Sequence, residues 1–161
     1  LIKAIKIIKN KYKNINFLII GNPSNHFKND ITSSDIFIWK KEKLINYYGY
    51  KKDVRKYIIK SHCLILPSYR EGLSRSIIES IAMGRPVITN NVPGCKDLVD
   101  NNKNGFLSKK NDYIFLSKMI EKFINISNSR KIKMGTYGFK KYAHNLDIDK
   151  VNDKYIDLIY N

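Results

Sequence analysis

The apolar residues of this chain form short uninterrupted runs, separated by segments in which they recur at helical spacing. The clearest run is Cys63 to Leu66, which Pro67 ends. Four consecutive apolar residues are too few for a helix, and such a run is typical of a parallel strand covered on both faces. A second run of this kind begins at Val87. The pattern therefore predicts two buried strands joined by the intervening segment.

The segment between the two runs predicts one helix. Ser74 is suited to the N-cap position, with Arg75 and Ser76 in the first turn. Gly84 is expected to end the helix, and Pro86 prevents it from resuming. The apolar residues that recur at helical spacing are Ile77, Ile78, Ile81 and Ala82. Strand, helix and strand together form a βαβ unit.

The remaining residues continue the alternation of helices and strands. An opening helix is expected to bury Leu1, Ala4, Ile5 and Ile8. Further helices are predicted from a cap among residues 32–34 to residue 44, and over 54–60, 113–124, 130–143 and 150–160, with Asp149 capping the last. Strands are predicted over 16–20, 45–48 and 105–107, a loop over 89–95 and a helical turn over 96–99. The order predicts an α/β fold, a Rossmann-like parallel sheet with helices on both faces.

The loop from Ser68 to Leu73 carries the residues with the clearest chemistry. In an open parallel sheet, ligands bind beyond the carboxyl ends of the strands and against the following helix. Gly72 lets a ligand approach the backbone, and the unpaired N–H groups at the helix start suit a phosphate. Glu71 and Glu79, which stand eight residues apart, are the candidate ligand-binding acids of this site. The alternative is that Glu71 caps the helix and Glu79 is an ordinary solvated residue.

Composition narrows the class of protein. A chain of 161 residues is one domain of ordinary size, and its formal charge of +16 suggests either an anionic partner or, because the lysines are spread along the chain, simply a solvated surface. No apolar run approaches the roughly 20 residues that span a bilayer, and no signal peptide is visible. The two cysteines lack metal-ligand spacing, so we expect a reduced, cytoplasmic protein.

The residues around the loop resemble a known family, the retaining glycosyltransferases of GT-B architecture, family four. The family's Glu-x7-Glu signature corresponds to Glu71 and Glu79. The surrounding Leu-Pro-Ser-Tyr-Arg-Glu-Gly-Leu, Met-Gly-Arg-Pro-Val-Ile and Asn-Val-Pro-Gly-Cys are most similar to bacterial enzymes that build capsule, O-antigen and lipid-linked glycans. The chain resembles the carboxyl-terminal, donor-binding half of such an enzyme. The family's first strand, its basic loop with an Arg and a Lys, and its acceptor-binding half are not in this sequence.

The resemblance implies a set of site residues. Glu71 would be the catalytic residue that holds the sugar hydroxyls, although not as a covalent nucleophile, and Glu79 would bind the ribose. Tyr50 and Lys51 would contact the nucleotide base through their backbone. The remaining donor-binding residues would be Gly72, Leu73, Ser74, Arg75, Ser76 and Ile77. Arg75 has two alternatives, an approach to phosphate or a position in solvent.

The resemblance also implies a reaction and its partners. We expect retaining transfer from a nucleotide-diphosphate sugar, UDP-hexose or UDP-N-acetylhexosamine, to a lipid-linked or polysaccharide acceptor, without a metal or other cofactor. The acceptor would bind through the missing amino-terminal half, so this chain alone is expected to be inactive. Cytoplasmic location with peripheral association at the inner membrane face is expected. The alternatives are a basic nucleic-acid-binding module and a GT-B sugar-nucleotide epimerase.

Overall fold

A computed structural model gives the fold and describes residues 1–24 and 31–142. The chain divides into two compact units, one up to Val54 and the other from Arg55 onward. The helix predicted over 150–160, with its cap Asp149, lies outside the described residues, as does residue 143. In the described part of the chain, no helix is long and apolar enough to cross a membrane.

The first unit contains two helices and two short parallel strands. Helix α1 spans Ile2–Lys11, strand β1 Leu18–Ile19, helix α2 Ser33–Lys41 and strand β2 Asn46–Tyr47. Strands β1 and β2 pair in parallel. Together they confirm the predicted alternation, with shorter strands than expected.

The ends of these elements differ from the predictions in two places. Ala4, Ile5 and Ile8 are buried as expected, but Leu1 is 39% exposed, because it precedes the first turn of α1 as its N-cap. Helix α2 begins with a reciprocal cap between Thr32 and Asp35. It ends at Lys41 rather than residue 44, since the left-handed Lys43 (φ 54°) turns the chain and buries Leu44.

The second unit contains the predicted βαβ segment and the rest of the fold. In chain order it contains helix α3 (Arg55–Lys60), strand β3 (Leu64–Leu66), helix α4 (Arg75–Ala82), strand β4 (Val87–Asn90), a 3₁₀ turn (Lys96–Leu98), strand β5 (Gly105–Ser108), helix α5 (Tyr113–Asn125) and helix α6 (Asn128–Tyr142). The strands form a parallel sheet in the order β3-β4-β5. The βαβ unit is therefore confirmed.

The core of this unit lies around β4, all of whose residues are buried. Strand β3 is only half-buried rather than covered on both faces, because it lies at the edge of the three-stranded sheet. Ala82, expected on the inner face of α4, is exposed because it lies about 140° around the helix from Ile77. The core cluster consists of Ile77, Ile81, Val87, Val92, Cys95, Leu98 and Val99.

Helix α6 is continuous although it contains two glycines, and its packing explains both. A Cβ at Gly135 would lie 2.0 Å from the carbonyl oxygen of Gly84, and one at Gly138 would lie 3.1 Å from Cβ of Asn104. Asn104 is buried and donates to the Leu98 carbonyl (2.9 Å). A side chain at Gly135 would therefore force α6 away from the Gly84 loop, whereas one at Gly138 would need Asn104 to shift by a few tenths of an ångström. This close packing accounts for glycine at both positions in spite of its low helix propensity.

Candidate functional site

The loop from Pro67 to Leu73 leaves the carboxyl end of β3 and leads to α4. Within it, the Ser68 hydroxyl donates a hydrogen bond to Oε1 of the half-buried Glu71 (2.7 Å). This bond orients the carboxylate, while Oε2 accepts no hydrogen bond from the described residues. The N-cap of α4 is Ser74, so the helix-capping alternative for Glu71 is not what the structure has. Glu71 is therefore a fixed carboxylate with one oxygen available to a ligand.

Two polar side chains of β4 hold the backbone that leads into this loop. The Thr89 hydroxyl donates to the Leu66 carbonyl (2.7 Å), and the Asn90 amide donates to the Ser68 carbonyl (3.0 Å). Both lie in the loop predicted over residues 89–95, but in the structure they are the last residues of β4 and are buried. They continue the strand because their side chains bond to the carbonyl groups of the neighbouring segment. Polar residues directly after an apolar strand run are the signal in the sequence.

Gly94 supports the loop from the other side. It is left-handed (φ 78°), and a Cβ there would lie 1.7 Å from the carbonyl oxygen of Gly72 and 2.5 Å from that of Glu71. The Gly94 N–H donates to Oδ2 of Asp97 (2.9 Å). The sequence predicts a loop over residues 89–95 but no role for it at the site. The Pro-Gly pair was the available signal, because such pairs mark turns with special backbone geometry.

Gly72 and Leu73 form the exposed part of the loop. Gly72 is not left-handed, and a Cβ there would meet no atom within 4 Å. Nothing in the described chain therefore requires glycine at this position. Leu73 is 58% exposed. The open space above Gly72 is the place where a ligand can approach the backbone.

The start of α4 presents free amide groups. The carbonyl of the buried Ser74 accepts from the N–H groups of Ile77 and Ile78 (both 3.1 Å). The amides of Arg75 and Ser76 have no backbone acceptor among the described residues. Such unpaired amides and the helix dipole favour an anion at this position. The Ile77 amide, in contrast, is engaged within the helix.

The other predicted residues lie in different surroundings. Glu79 is in the middle of α4, where Oε1 lies 3.9 Å from Nε of Arg75, and the side chain of Arg75 is 92% exposed. The Arg75 side chain therefore extends into solvent at the start of α4, and its approach to a phosphate stays a prediction. Tyr50 and Lys51 belong to the first unit, where they follow the left-handed Gly49, and Tyr50 is 66% exposed.

A depression of about 470 Å³ adjoins the loop. It is lined by Tyr69, Arg70, Glu71, Val92, Pro93 and Lys110. Of these residues, only Glu71 was a predicted site residue. Lys110 and Pro93 are contributed by segments that follow β5 and β4, so only the three-dimensional fold brings them to Glu71.

Neither cysteine is suited to nucleophilic chemistry. Burial raises the pKa of the Cys63 thiol to about 12, and burial likewise raises the pKa of the Cys95 thiol, against a lowering contribution from the hydrogen bond with Thr89. Both thiols are therefore protonated at neutral pH. Among residues 1–24 and 31–142, no three His, Cys, Asp or Glu side chains are grouped to hold a metal ion.

Comparisons with known proteins give the family context. The family model described as glycosyl transferases group 1 matches residues 1–141. The capsular polysaccharide biosynthesis glycosyltransferase CapM of Staphylococcus aureus is 33% identical over 131 residues, which cover 81% of this chain and 34% of CapM. The Escherichia coli UDP-Gal:alpha-D-GlcNAc-diphosphoundecaprenol alpha-1,3-galactosyltransferase is 28% identical, covering 90% of this chain and 38% of that protein. The chain thus spans somewhat over a third of these relatives.

Solved structures give the same fold at lower identity. One match is a mutant of S. aureus TarM in complex with fondaparinux, alpha-GlcNAc-glycerol and UDP. Its TM-score is 0.85 at 19% identity, and the match covers 99% of this chain and 32% of the TarM chain. Anabaena Alr3699/HepE, in complex with UDP and glucose, has a TM-score of 0.77 and 16% identity, with coverage of 97% and 43%. The predicted Rossmann-like α/β fold, with parallel sheets and flanking helices, is confirmed.

Proposed function

The chain belongs to the group 1 glycosyl transferases, and on this basis we propose that it binds a nucleotide-diphosphate sugar for retaining transfer to a lipid-linked or polysaccharide acceptor. The proposed donor is UDP-hexose or UDP-N-acetylhexosamine. The names of two similar proteins support it, since one concerns capsular polysaccharide and the other a UDP-galactose donor with a diphosphoundecaprenol-linked acceptor. This chain would contribute the donor site of the reaction.

The observation that carries the proposal is the geometry of the loop between β3 and α4. Glu71 is oriented by Ser68, Gly72 leaves open space beside it, and the amides of Arg75 and Ser76 are unpaired at the helix start. A carboxylate suits sugar hydroxyl groups, and a helix start suits a phosphate. A sugar joined to a diphosphate carries both kinds of group in one ligand.

The proposed chemistry assigns separate tasks to these groups. When the sugar leaves the nucleotide, negative charge develops on the diphosphate, and hydrogen-bond donors aimed at that charge lower the barrier. The amides of Arg75 and Ser76 would supply part of this stabilisation. Removing one such donor from an enzyme typically costs about 2.7 to 4 kcal/mol. Glu71 would hold the sugar hydroxyls, and Glu79 would bind the ribose.

The nucleotide base and the acceptor complete the proposal. Tyr50 and Lys51 would contact the base through their backbone. The reaction would need no metal, and it would occur at the cytoplasmic face of the membrane, with the protein peripherally associated. Because transfer requires two substrates held together, we expect this chain alone to bind the donor without turnover.

The test is a titration of the chain with UDP, UDP-glucose, UDP-N-acetylglucosamine, GDP and an oligonucleotide at physiological salt. We expect a UDP-sugar to bind more tightly than UDP. The Glu71→Gln variant should bind the UDP-sugar about tenfold or more weakly while its affinity for UDP is kept, since hydrogen bonds to charged groups contribute about 1.5–3 kcal/mol. The charge-matched control is Glu42→Gln, which removes only the exposed ion pair with Lys6 (2.9 Å).

Two outcomes would contradict the proposal. One is tighter binding of the oligonucleotide than of any nucleotide, with affinity that falls steeply with salt, because that is the behaviour of a nucleic-acid-binding module. The other is equal affinity of Glu71→Gln and the unmodified chain for the UDP-sugars. Product formation from labelled donor by the chain alone would overturn the expectation that it is inactive.

A further inference from the structure

The depression beside Glu71 has a charge pattern that the binding of a neutral sugar does not explain. Its lining contains one carboxylate, Glu71, and two cations, Arg70 and Lys110, so its formal charge is +1. Both cations are exposed at the protein surface. Glu71 alone would be sufficient to accept hydrogen bonds from the hydroxyl groups of a neutral hexose.

The two cations are not used elsewhere in the described structure. Within the part of the chain that the structure describes, ion pairs within 4.0 Å include Lys6 with Glu42 and Lys141 with Asp100, but neither Arg70 nor Lys110 forms one. The neighbouring Lys109 differs from Lys110, because its ammonium group lies over the ring of Phe115 (5.1 Å). Arg70 and Lys110 are therefore available to a ligand.

The same depression has surfaces that suit a sugar ring. Tyr69 is 61% exposed, and Pro93 adds an apolar surface to the lining. Aromatic and proline surfaces pack against the apolar face of a sugar, whereas Arg binds carboxylate and phosphate groups through two parallel hydrogen bonds. A ligand that satisfies the whole lining has a sugar ring, a free hydroxyl group and a negative charge.

We propose that Arg70 and Lys110 form an anion subsite beside Glu71, which binds an acidic group on the sugar substrate that is separate from the nucleotide diphosphate. This inference rests on the proposed function. The acidic group has two sources, a carboxylate on the donor sugar or a phosphate attached to the acceptor sugar. In both cases Glu71 binds a hydroxyl group while the two cations bind the acid.

The test compares ligands that differ only in the acidic group. For the donor, the affinity of the chain for UDP-glucuronic acid is compared with its affinity for UDP-glucose. For the acceptor, a short-alkyl diphosphate of N-acetylglucosamine is compared with an alkyl N-acetylglucosaminide. UDP is the reference ligand. The variant is Arg70→Gln with Lys110→Gln. Its control is Lys118→Gln with Lys133→Gln, two exposed lysines on α5 and α6 whose removal changes the net charge equally.

We expect one acidic ligand to bind more tightly than its neutral partner, and the variant to lose about threefold to tenfold of that preference, as two solvent-accessible ion pairs allow. UDP affinity should not change, and the control should keep the preference. The ligand pair that shows the effect identifies the source of the acidic group.

Three results separate this inference from the proposed function. If the UDP-sugars bind normally but neither acidic ligand is preferred, the subsite is refuted and the donor site stands. If the variant weakens UDP as much as the acidic ligands, the two cations bind the nucleotide diphosphate and the subsite is again refuted. If no nucleotide binds but the alkyl diphosphate sugar binds through Arg70 and Lys110, the subsite stands and the donor site is refuted.

Discussion

Gly94 offers the sharpest test of how the loop holds Glu71. In the Gly94→Ala variant, the new Cβ would lie 1.7 Å from the Gly72 carbonyl oxygen, whereas real Cβ atoms essentially never come closer than 3.0 Å. The two backbone segments must therefore separate by about 1.3 Å, the difference between these distances. Because Glu71 precedes Gly72 directly, its carboxylate would move with the loop.

The expected effect has two parts. The left-handed conformation (φ 78°) costs an alanine roughly 1–2 kcal/mol of folding free energy, and relief of the contact adds to this. A carboxylate displaced by about 1 Å loses hydrogen-bond distance to a sugar hydroxyl, and hydrogen bonds to charged groups contribute about 1.5–3 kcal/mol. We therefore expect Gly94→Ala to lose most of the affinity that the sugar adds to UDP, and to unfold at a lower urea concentration.

Gly84→Ala is the matched control. Gly84 is also left-handed (φ 65°), but a Cβ there would meet nothing within 4 Å, so this variant has only the conformational cost. Urea unfolding and titration with UDP and UDP-glucose should be measured on both variants. If Gly94→Ala is destabilised no more than Gly84→Ala and binds UDP-glucose as the unmodified chain does, then Gly94 does not position the loop and the reasoning is wrong.

Two further predictions concern stability. The hydrogen bond from Lys141 is the largest cause that lowers the pKa of Asp100, so this carboxylate stabilises the fold above its unfolded pKa and loses its contribution as pH falls through the folded value. Unfolding measured as a function of pH should therefore show Asp100→Asn to be less stable than the unmodified chain at pH 7, with a difference that shrinks as the pH falls through the folded pKa of Asp100. Gly135→Ala should lower the free energy of unfolding by about 1–3 kcal/mol in urea, because the new Cβ would meet the Gly84 carbonyl oxygen, although alanine has the better helix propensity. The control Thr136→Ala, at an exposed position of the same helix, should be neutral or stabilising. Stabilisation by Gly135→Ala would contradict the close packing.

The βαβ unit could be predicted from sequence because its signals are local. An apolar run, apolar residues at helical spacing and a terminal glycine each specify a backbone state with little help from distant residues, and Ser74 occupies the N-cap position although its side chain makes no capping hydrogen bond. The residues that hold the site could not be found in this way. Thr89 and Asn90 look like loop residues until the carbonyls of Leu66 and Ser68 are in place to accept their hydrogen bonds. Their secondary structure depends on a contact between segments.

The same limit applies to glycines and to the lining of the depression. Gly135 and Gly138 weaken a helix prediction because propensity scales contain no term for close approach to another segment. Lys110 and Glu71 are 39 positions apart and become neighbours only when β4 and β5 align beside β3. Glu71 and Glu79 could be assigned from the resemblance of the whole surrounding block to the family, but the cations beside Glu71 could be found only from the fold.

The loop from Pro67 to Leu73 contains both residues held by hydrogen bonds and exposed side chains. Ser68 and Glu71 are joined to each other, and Asn90 ties the loop to the sheet, whereas the side chains of Tyr69 and Arg70 extend outward without partners among the described residues. Exchange of such surface side chains usually changes folding free energy by no more than about 0.5 kcal/mol. Substitutions at these two positions should therefore leave the sheet intact, so under the proposed function a single substitution here could change sugar preference without compensating changes in the sheet.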